Sequence, residues 1–210
     1  MTAVLTVSLR ETRVLAERML LLLGVPKGMV PSVREVIVEA EALGLGGLDF
    51  LDSGPARSWL PPSLHDRTVV EAHGMPAPYV TPALIDLGVA LLHEHGTAKL
   101  TLHGVSAPHL LAVLPHAARP YGAAIEVGGD DRTPVITVTH GPVADGLPEH
   151  LARAVHEGLT VEAALWWRLY HRSNDALTED TPISRSHAGA TLDTAGAEPD
   201  ADIDYMAVNP

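Results

Sequence analysis

TPALIDLGVALLHEHG at 81–96, TAKLTLH at 97–103, GVSAPH at 104–109 and GAAIEV at 122–127 read in turn as helix, strand, sharp turn into a second helix, and strand. In 97–103, Leu100 and Leu102 alternate with Lys99, Thr101 and His103, the two-residue period of a half-buried strand. Thr81 followed by Pro82 predicts a helix start, with the proline where an N–H is dispensable. Gly104 permits a tight exit from the strand, and Ser106 is placed to cap a helix whose first turn holds Pro108. Helix, strand, turn, helix and strand in this order predict an α/β sheet with at least one crossover.

Working outward, AAIEV, a turn around GGDDRT and PVITVTH form a hairpin, so the sheet is mixed rather than purely parallel. VVEA at 69–72 predicts a further short strand, and Pro115 should kink or shorten the helix after the turn. Upstream, Ser8 with Glu11 and Ser32 with Glu35 have capping-box spacing, predicting two N-terminal helices that end at Gly24 and Gly44. Downstream, Pro148 opens PEHLARAVHEG, and Thr160 is expected to cap VEAALWWRLYHR. The expected architecture is α/β, with a mixed sheet of about four to five strands, packed helices, two N-terminal helices and a C-terminal arm. One domain is expected over 1–173, with 1–44 as a helical N-terminal element. Residues 174–210, acidic and poor in large apolar side chains, are expected to be an arm that wraps its own domain or a neighbouring subunit.

Composition removes several classes of function. The chain has no cysteine, which excludes disulfides, thiolate nucleophiles and iron–sulfur ligation. Its 26 Asp and Glu against 14 Lys and Arg give a net charge of −12, which disfavours nucleic acid and anionic membranes as partners. The longest apolar run, Met19–Leu23, is too short to span a bilayer, and no basic-then-apolar leader opens the chain. The expectation is a soluble cytoplasmic protein, and the broad apolar surface of the first helix suggests a homodimer.

Chemistry concentrates at the turn. His103 at a strand end, and Ser106 and His109 where a helix begins, would face the crevice in which α/β sheets hold ligands. An imidazole there titrates near neutrality, so His103 and His109 are the candidate proton-transfer residues, with Ser106 and helix N–H groups holding an anionic group. The plainer alternative is that Ser106 only caps and His109 only packs. Twelve histidines invite a metal, but none of the spacings tested builds a site: His93 and His95 point apart, and His109 and His116 lie about 10 Å apart along a helix. Only His103, His109 and His140 could be pictured converging, and no metal is expected. Gly104–Val105–Ser106–Ala107–Pro108 is a G-x-S-x-G pattern that lacks its last glycine. A serine hydrolase would draw its acid from Asp130 or Asp145 and its base from His140, His150 or His156. No G-x-G-x-x-G follows a strand.

Two resemblances attach to these residues. LLHEHGTAKLTLHGVSAPHLLAVLPHAARPYGAAIEV resembles a segment of the malate/L-lactate dehydrogenase-type oxidoreductases, in which a helix ending in His-Gly leads to a strand and an Asn-His-Phe turn. Ser106 and His109 match two positions of that turn, while Pro108 and Leu110 stand where the family has Asn and Phe. Where the family carries its catalytic Ser-His-Gly, this chain has Gly46–Gly47–Leu48–Asp49. No cofactor is expected from the residues themselves, and NAD(P) enters only as what this resemblance implies. More broadly, VSLRETRVLAERMLLLLGVPKG, GVSAPHLLAVLPHAARPYG and TPISRSHAG are similar to a bacterial domain family of unknown function and about this length. The last of these segments implies that Arg185 and His187 close over the crevice beside His109 as substrate-binding residues, and His140 is a further candidate for substrate binding. Three functions stay open: a metal-free enzyme using histidine acid/base chemistry on a small polar or anionic metabolite (lyase, isomerase or hydrolase); a non-catalytic binding or partner subunit on an enzyme-derived fold; and an NAD(P)-dependent reductase. An enzyme of the first kind should bring two of His103, His109, His140 and His187 within about 7 Å of each other in one pocket.

Overall fold

Strand Thr97–His103 sits at the centre of a five-stranded sheet. The computed structural model describes residues 3–55, 60–143 and 146–177. The chain divides after Ala176, and the unit before that point is described by itself. Its elements in chain order are β1 (Val4–Val7), α1 (Leu9–Leu22), α2 (Val30–Ala42), α3 (Gly47–Asp52), β2 (Ser63–His65), β3 (Val69–Glu71), α4 (Ala77–His95), β4 (Thr97–His103), α5 (Leu114–Ala117), β5 (Ala123–Asp130), β6 (Thr133–His140), α6 (Glu149–Glu157), β7 (Leu159–Glu162) and α7 (Ala163–Ser173). The main sheet has the order β2-β3-β4-β6-β5. Only β3 and β4 run parallel, joined by the α4 crossover, and the other pairs are antiparallel. The sheet is mixed, as the hairpin and crossover predict.

The alternation in β4 sorts its faces. Ala98, Leu100 and Leu102 are buried together with Ile125, Ile136 and Val138 of the neighbouring strands, while Lys99 is exposed and Thr101 and His103 are half-buried. Gly88 of α4 lies on that buried face, where an added Cβ would stand 3.0 Å from Val138 Cγ2. The β5–β6 hairpin closes on Asp130, whose Oδ1 accepts the Arg132 and Thr133 N–H groups at 2.9 and 2.8 Å.

The N-terminal helices form as the pattern predicts, with one boundary moved. Ser8 and Glu11 make the full capping box, Ser8 N–H donating to Glu11 Oε2 at 2.8 Å and Glu11 N–H to Ser8 Oγ at 3.1 Å. The Ser8 hydroxyl and the Ser8 N–H, both donating to Oε2, hold the Glu11 carboxyl below its usual range. Helix α2 starts at Val30, without a side-chain cap and with proline in its first turn, so Ser32 lies inside the helix and caps nothing. Gly24 and Gly44 take positive φ at the two helix ends, as expected.

Two other boundaries move as well. Helix α4 begins at Ala77 behind Pro76, which places Pro82 inside it; Thr81 is buried and donates its hydroxyl to the Ala77 carbonyl at 2.8 Å instead of capping. Thr160 belongs to β7, which pairs with β1 in a separate two-stranded sheet, with Thr6 opposite Thr160, and α7 follows Glu162. The helix after the 104–109 turn is short, as Pro115 predicts: a 3-10 segment over Pro108–Val113 leads into the four residues of α5. The expected arm at 174–210 falls, from residue 178 onward, outside the described residues.

Candidate functional site

The turn after β4 serves to lock the chain locally. Ser106 donates its hydroxyl to the Gly74 carbonyl at 3.0 Å and its N–H to the Met75 carbonyl at 3.1 Å, while its own carbonyl accepts Ala77 N–H at 2.8 Å. These bonds tie the turn to the segment that launches α4. Ser106 caps no helix: the residue before the 3-10 segment is Ala107, at φ 50. His103 is half-buried, and its carbonyl accepts Ala72 N–H at 2.8 Å. His109 is exposed and lines a shallow hollow of about 250 Å³ with Val127, Gly129, Asp130, Asp131 and Pro134. His103, Ser106 and His140 do not line that hollow, and His140 stands exposed at the end of β6. Arg185, His187 and Asp145 lie outside the described residues.

A different set of titratable groups does meet. Glu39 sits on α2 between Val36 and Ala40, where only 7% of it reaches solvent. Its Oε1 lies 3.0 Å from Nε2 of His150, in the first turn of α6, and that side chain is 9% exposed. The His150 ring meets His116 of α5 edge-to-face at a centroid distance of 4.9 Å. Three elements far apart in sequence thus bring one carboxyl and two imidazoles into a row. Glu39 and His116 line a groove of about 590 Å³ between α2, α4, α5 and the start of α6, within the size range of small-molecule sites. His150 closes off a second hollow, of about 320 Å³, with Glu41 and Arg153.

Burial governs the electrostatics of this row. Desolvation, with Glu35 adding repulsion, pushes the Glu39 carboxyl up to about 7. Desolvation also lowers His150, helped by His116, Arg153 and Arg119, and lowers His116, helped by Arg119. Burial thus disfavours the charged form of both members of the Glu39–His150 contact. A carboxyl and an imidazole poised in this way can each give or take a proton at the groove wall.

The rim of the groove is held by ion pairs. Arg13 clamps Glu35, with Nε 3.1 Å from Oε2 and Nη2 2.9 Å from the same oxygen, and Arg34 bridges Glu35 and Glu17. These pairs fix α1 against α2 and keep the floor around Glu39 in place. No group of three or more His, Asp or Glu among the described residues is placed to hold a metal ion. Residue spacing does not reveal this row, because its three members lie on α2, α5 and α6 and meet only through helix packing. One signal was present in the sequence: Glu39 falls on the apolar face of α2, where a charge is unexpected unless it is paired.

At the position where the dehydrogenase resemblance puts a catalytic Ser-His-Gly, Gly46–Gly47 turns into α3. A Cβ on Gly47 would meet the Ile37 carbonyl oxygen at 2.2 Å, so α3 is pressed onto the α2 backbone and no side chain fits there. Glu41 Oε2 accepts Leu48 N–H at 2.9 Å and holds this junction.

No family model matches the chain, and no curated protein matches it. Among solved structures, a dehydrogenase from Sinorhizobium meliloti aligns at 12% identity with a TM-score of 0.60, covering 81% of this chain and 100% of that one. Malate dehydrogenase from Entamoeba histolytica aligns at 12% identity over 90% of this chain and 68% of its own, with a TM-score of 0.48. Malate dehydrogenase from Pyrococcus horikoshii OT3 aligns at 11% identity over 79% and 60%, with a TM-score of 0.44. The first of these likenesses establishes a shared fold, and nothing beyond the fold.

Proposed function

We propose that the chain is an enzyme that moves a proton on a small polar metabolite bound in the groove between α2, α4, α5 and α6. The observation that carries the proposal is the buried Glu39–His150 contact at 3.0 Å, continued to His116 at the groove wall. In this reading Glu39 and His116 face the substrate and exchange protons with it, and His150, in hydrogen-bond contact with Glu39 and packed edge-on against His116, is the positioning residue. The acid/base role first expected of His103 and His109 moves to this row, and Ser106 keeps the turn in place. The reaction is of the isomerase or lyase kind, because a carboxyl and an imidazole at the wall suit abstraction and return of a proton more directly than attack by a hydroxyl.

The experiment is to incubate the full chain with a metabolite extract in heavy water and follow deuterium incorporation by mass spectrometry. At least one compound should gain deuterium, and Glu39→Gln should abolish the gain while Ser106→Ala retains it. If no compound is labelled or consumed, or Glu39→Gln labels as well as the parent chain, the proposal fails.

A second reading is favoured by the Gly47 junction: a non-catalytic binding or partner subunit built on an enzyme-derived fold. It predicts saturable binding of a metabolite without labelling. A nicotinamide-dependent reductase fits least well. The resemblance implies NAD(P), but Gly46–Gly47–Leu48–Asp49 stands where that family carries its catalytic Ser-His-Gly, so no step is derived through that cofactor.

A further inference from the structure

On the far side of α1 lies a second groove, independent of the proton-transfer row. It has a volume of about 610 Å³ between α1 and α7, and its lining includes Arg10, Val14, Arg18, Trp167 and Tyr170. Leu15 and Trp166 are buried beneath it, whereas Trp167 is 48% exposed, Val14 43% and Tyr170 40%. Trp167 and Tyr170 stand edge-to-face at 5.6 Å, forming a rigid aromatic wall. Large apolar side chains gathered at one exposed place, rather than scattered, mark an interaction surface. Trp, Tyr and Arg are also the residues that dominate binding energy at such surfaces.

The charge of this groove identifies its occupant. The one acidic side chain in its lining, Glu11, already accepts Ser8 N–H and Ser8 Oγ in the α1 capping box. Arg10 and Arg18 have no ion-pair partner among the described residues, although the chain as a whole carries −12. The spare charge is therefore positive on a protein that is otherwise strongly negative. Arg10, Val14 and Arg18 are four residues apart and share one face of α1, so the two arginines are spaced by about 12 Å with an apolar position between them. An extended peptide covers that distance in about four residues, with alternate side chains on one side.

We propose that this groove docks an extended acidic peptide segment of a partner protein, of the pattern acid–x–apolar–x–acid. The two carboxylates pair with Arg10 and Arg18, and the apolar side chain seats between Val14 and the Trp167–Tyr170 wall.

The test uses the full chain and fluorescein-labelled peptides read by fluorescence anisotropy. SDSLSDS should bind, and SNSLSNS and SDSSSDS should each bind about tenfold more weakly or worse. The double variant Arg10→Ala/Arg18→Ala should lose a similar factor for SDSLSDS and lose the salt dependence of binding. Arg132→Ala, in the distant hairpin turn, should bind like the parent chain. Circular dichroism checks that each variant is folded, and these arginines lie on the surface rim, where substitution is tolerated. Equal affinity for SDSLSDS and SNSLSNS, indifference to the double arginine variant, or no anisotropy change up to about 1 mM peptide would each overturn the proposal. Binding of small aromatic anions without peptide binding would do so too.

Discussion

Replacing Glu39 by glutamine should make the protein more stable at alkaline pH, although it removes a buried carboxyl that meets an imidazole. The reason is the cost of ionising a carboxyl that is 7% exposed. Burial raises Glu39 from 4.5 to about 7. Below 4.5 the folded and unfolded chains both hold this proton. Between 4.5 and about 7 only the folded chain keeps it, so stability falls as pH rises through that window, and above about 7 the loss is complete. The gap between the two values corresponds to roughly 3 kcal/mol. His150 and His116, both lowered, act in the opposite sense: the folded chain binds fewer of their protons, so their part of the stability grows as pH rises towards the ordinary imidazole value. Those two rings are present in both proteins, so the difference between parent and variant reports the carboxyl together with its coupling to His150. Glutamine copies the protonated acid in shape and can still hydrogen-bond to His150 Nε2. In urea titrations the two proteins should agree within about 0.5 kcal/mol near pH 4.5, and the variant should lead by about 2–3 kcal/mol near pH 8, a rise in melting temperature of roughly 5–10 °C. A variant less stable than the parent by about 1 kcal/mol or more near pH 8 would refute the reasoning, because it would mean that the pair is held as a carboxylate and an imidazolium.

Further substitutions test the architecture. Ser8→Ala removes a two-way capping box and should cost about 1 kcal/mol in chemical denaturation, whereas Ser32→Ala, inside α2, should change stability by less than about 0.5 kcal/mol. Gly47→Ala forces a methyl against the Ile37 carbonyl and should cost about 3 kcal/mol or more, read as a large fall in melting temperature; near-parent stability would contradict the tight α2–α3 junction. Ser106→Ala should cost about 1 kcal/mol through the lost bond to Gly74 and should leave deuterium labelling intact, the two readouts together separating a positioning role from a catalytic one.

The elements whose periodicity is local were legible in the chain itself. The alternation in 97–103, the 130–133 turn and the Ser8–Glu11 box each depend on neighbours a few residues away, and each stands in the structure as expected. Boundaries failed where a local signal had a competitor. Ser32 with Glu35 has the spacing of a cap, but Pro31 is comfortable in a first helical turn, and α2 starts two residues earlier. Thr81 followed by Pro82 has the pattern of a helix start, yet Pro76 and Pro78 suit the opening of α4 one turn earlier, and Thr81 turns its hydroxyl back to the Ala77 carbonyl. Thr160 looked like a cap because its strand partner, Thr6, stands at the other end of the unit, and no short-range pattern marks β1 as the mate of β7. The same limit applies to the site. Glu39, His116 and His150 come from three elements whose meeting is a product of helix packing, and the only trace in the sequence is a glutamate on an apolar face.

The most direct measurement is the carboxyl ¹³C chemical shift of Glu39, followed by nuclear magnetic resonance across the pH range, with Glu39→Gln identifying the signal. The account predicts a midpoint near 7, with the His150 ring resonances moving in the same step because the two groups are in hydrogen-bond contact. A midpoint at or below the ordinary 4.5, with His150 titrating on its own, would contradict it.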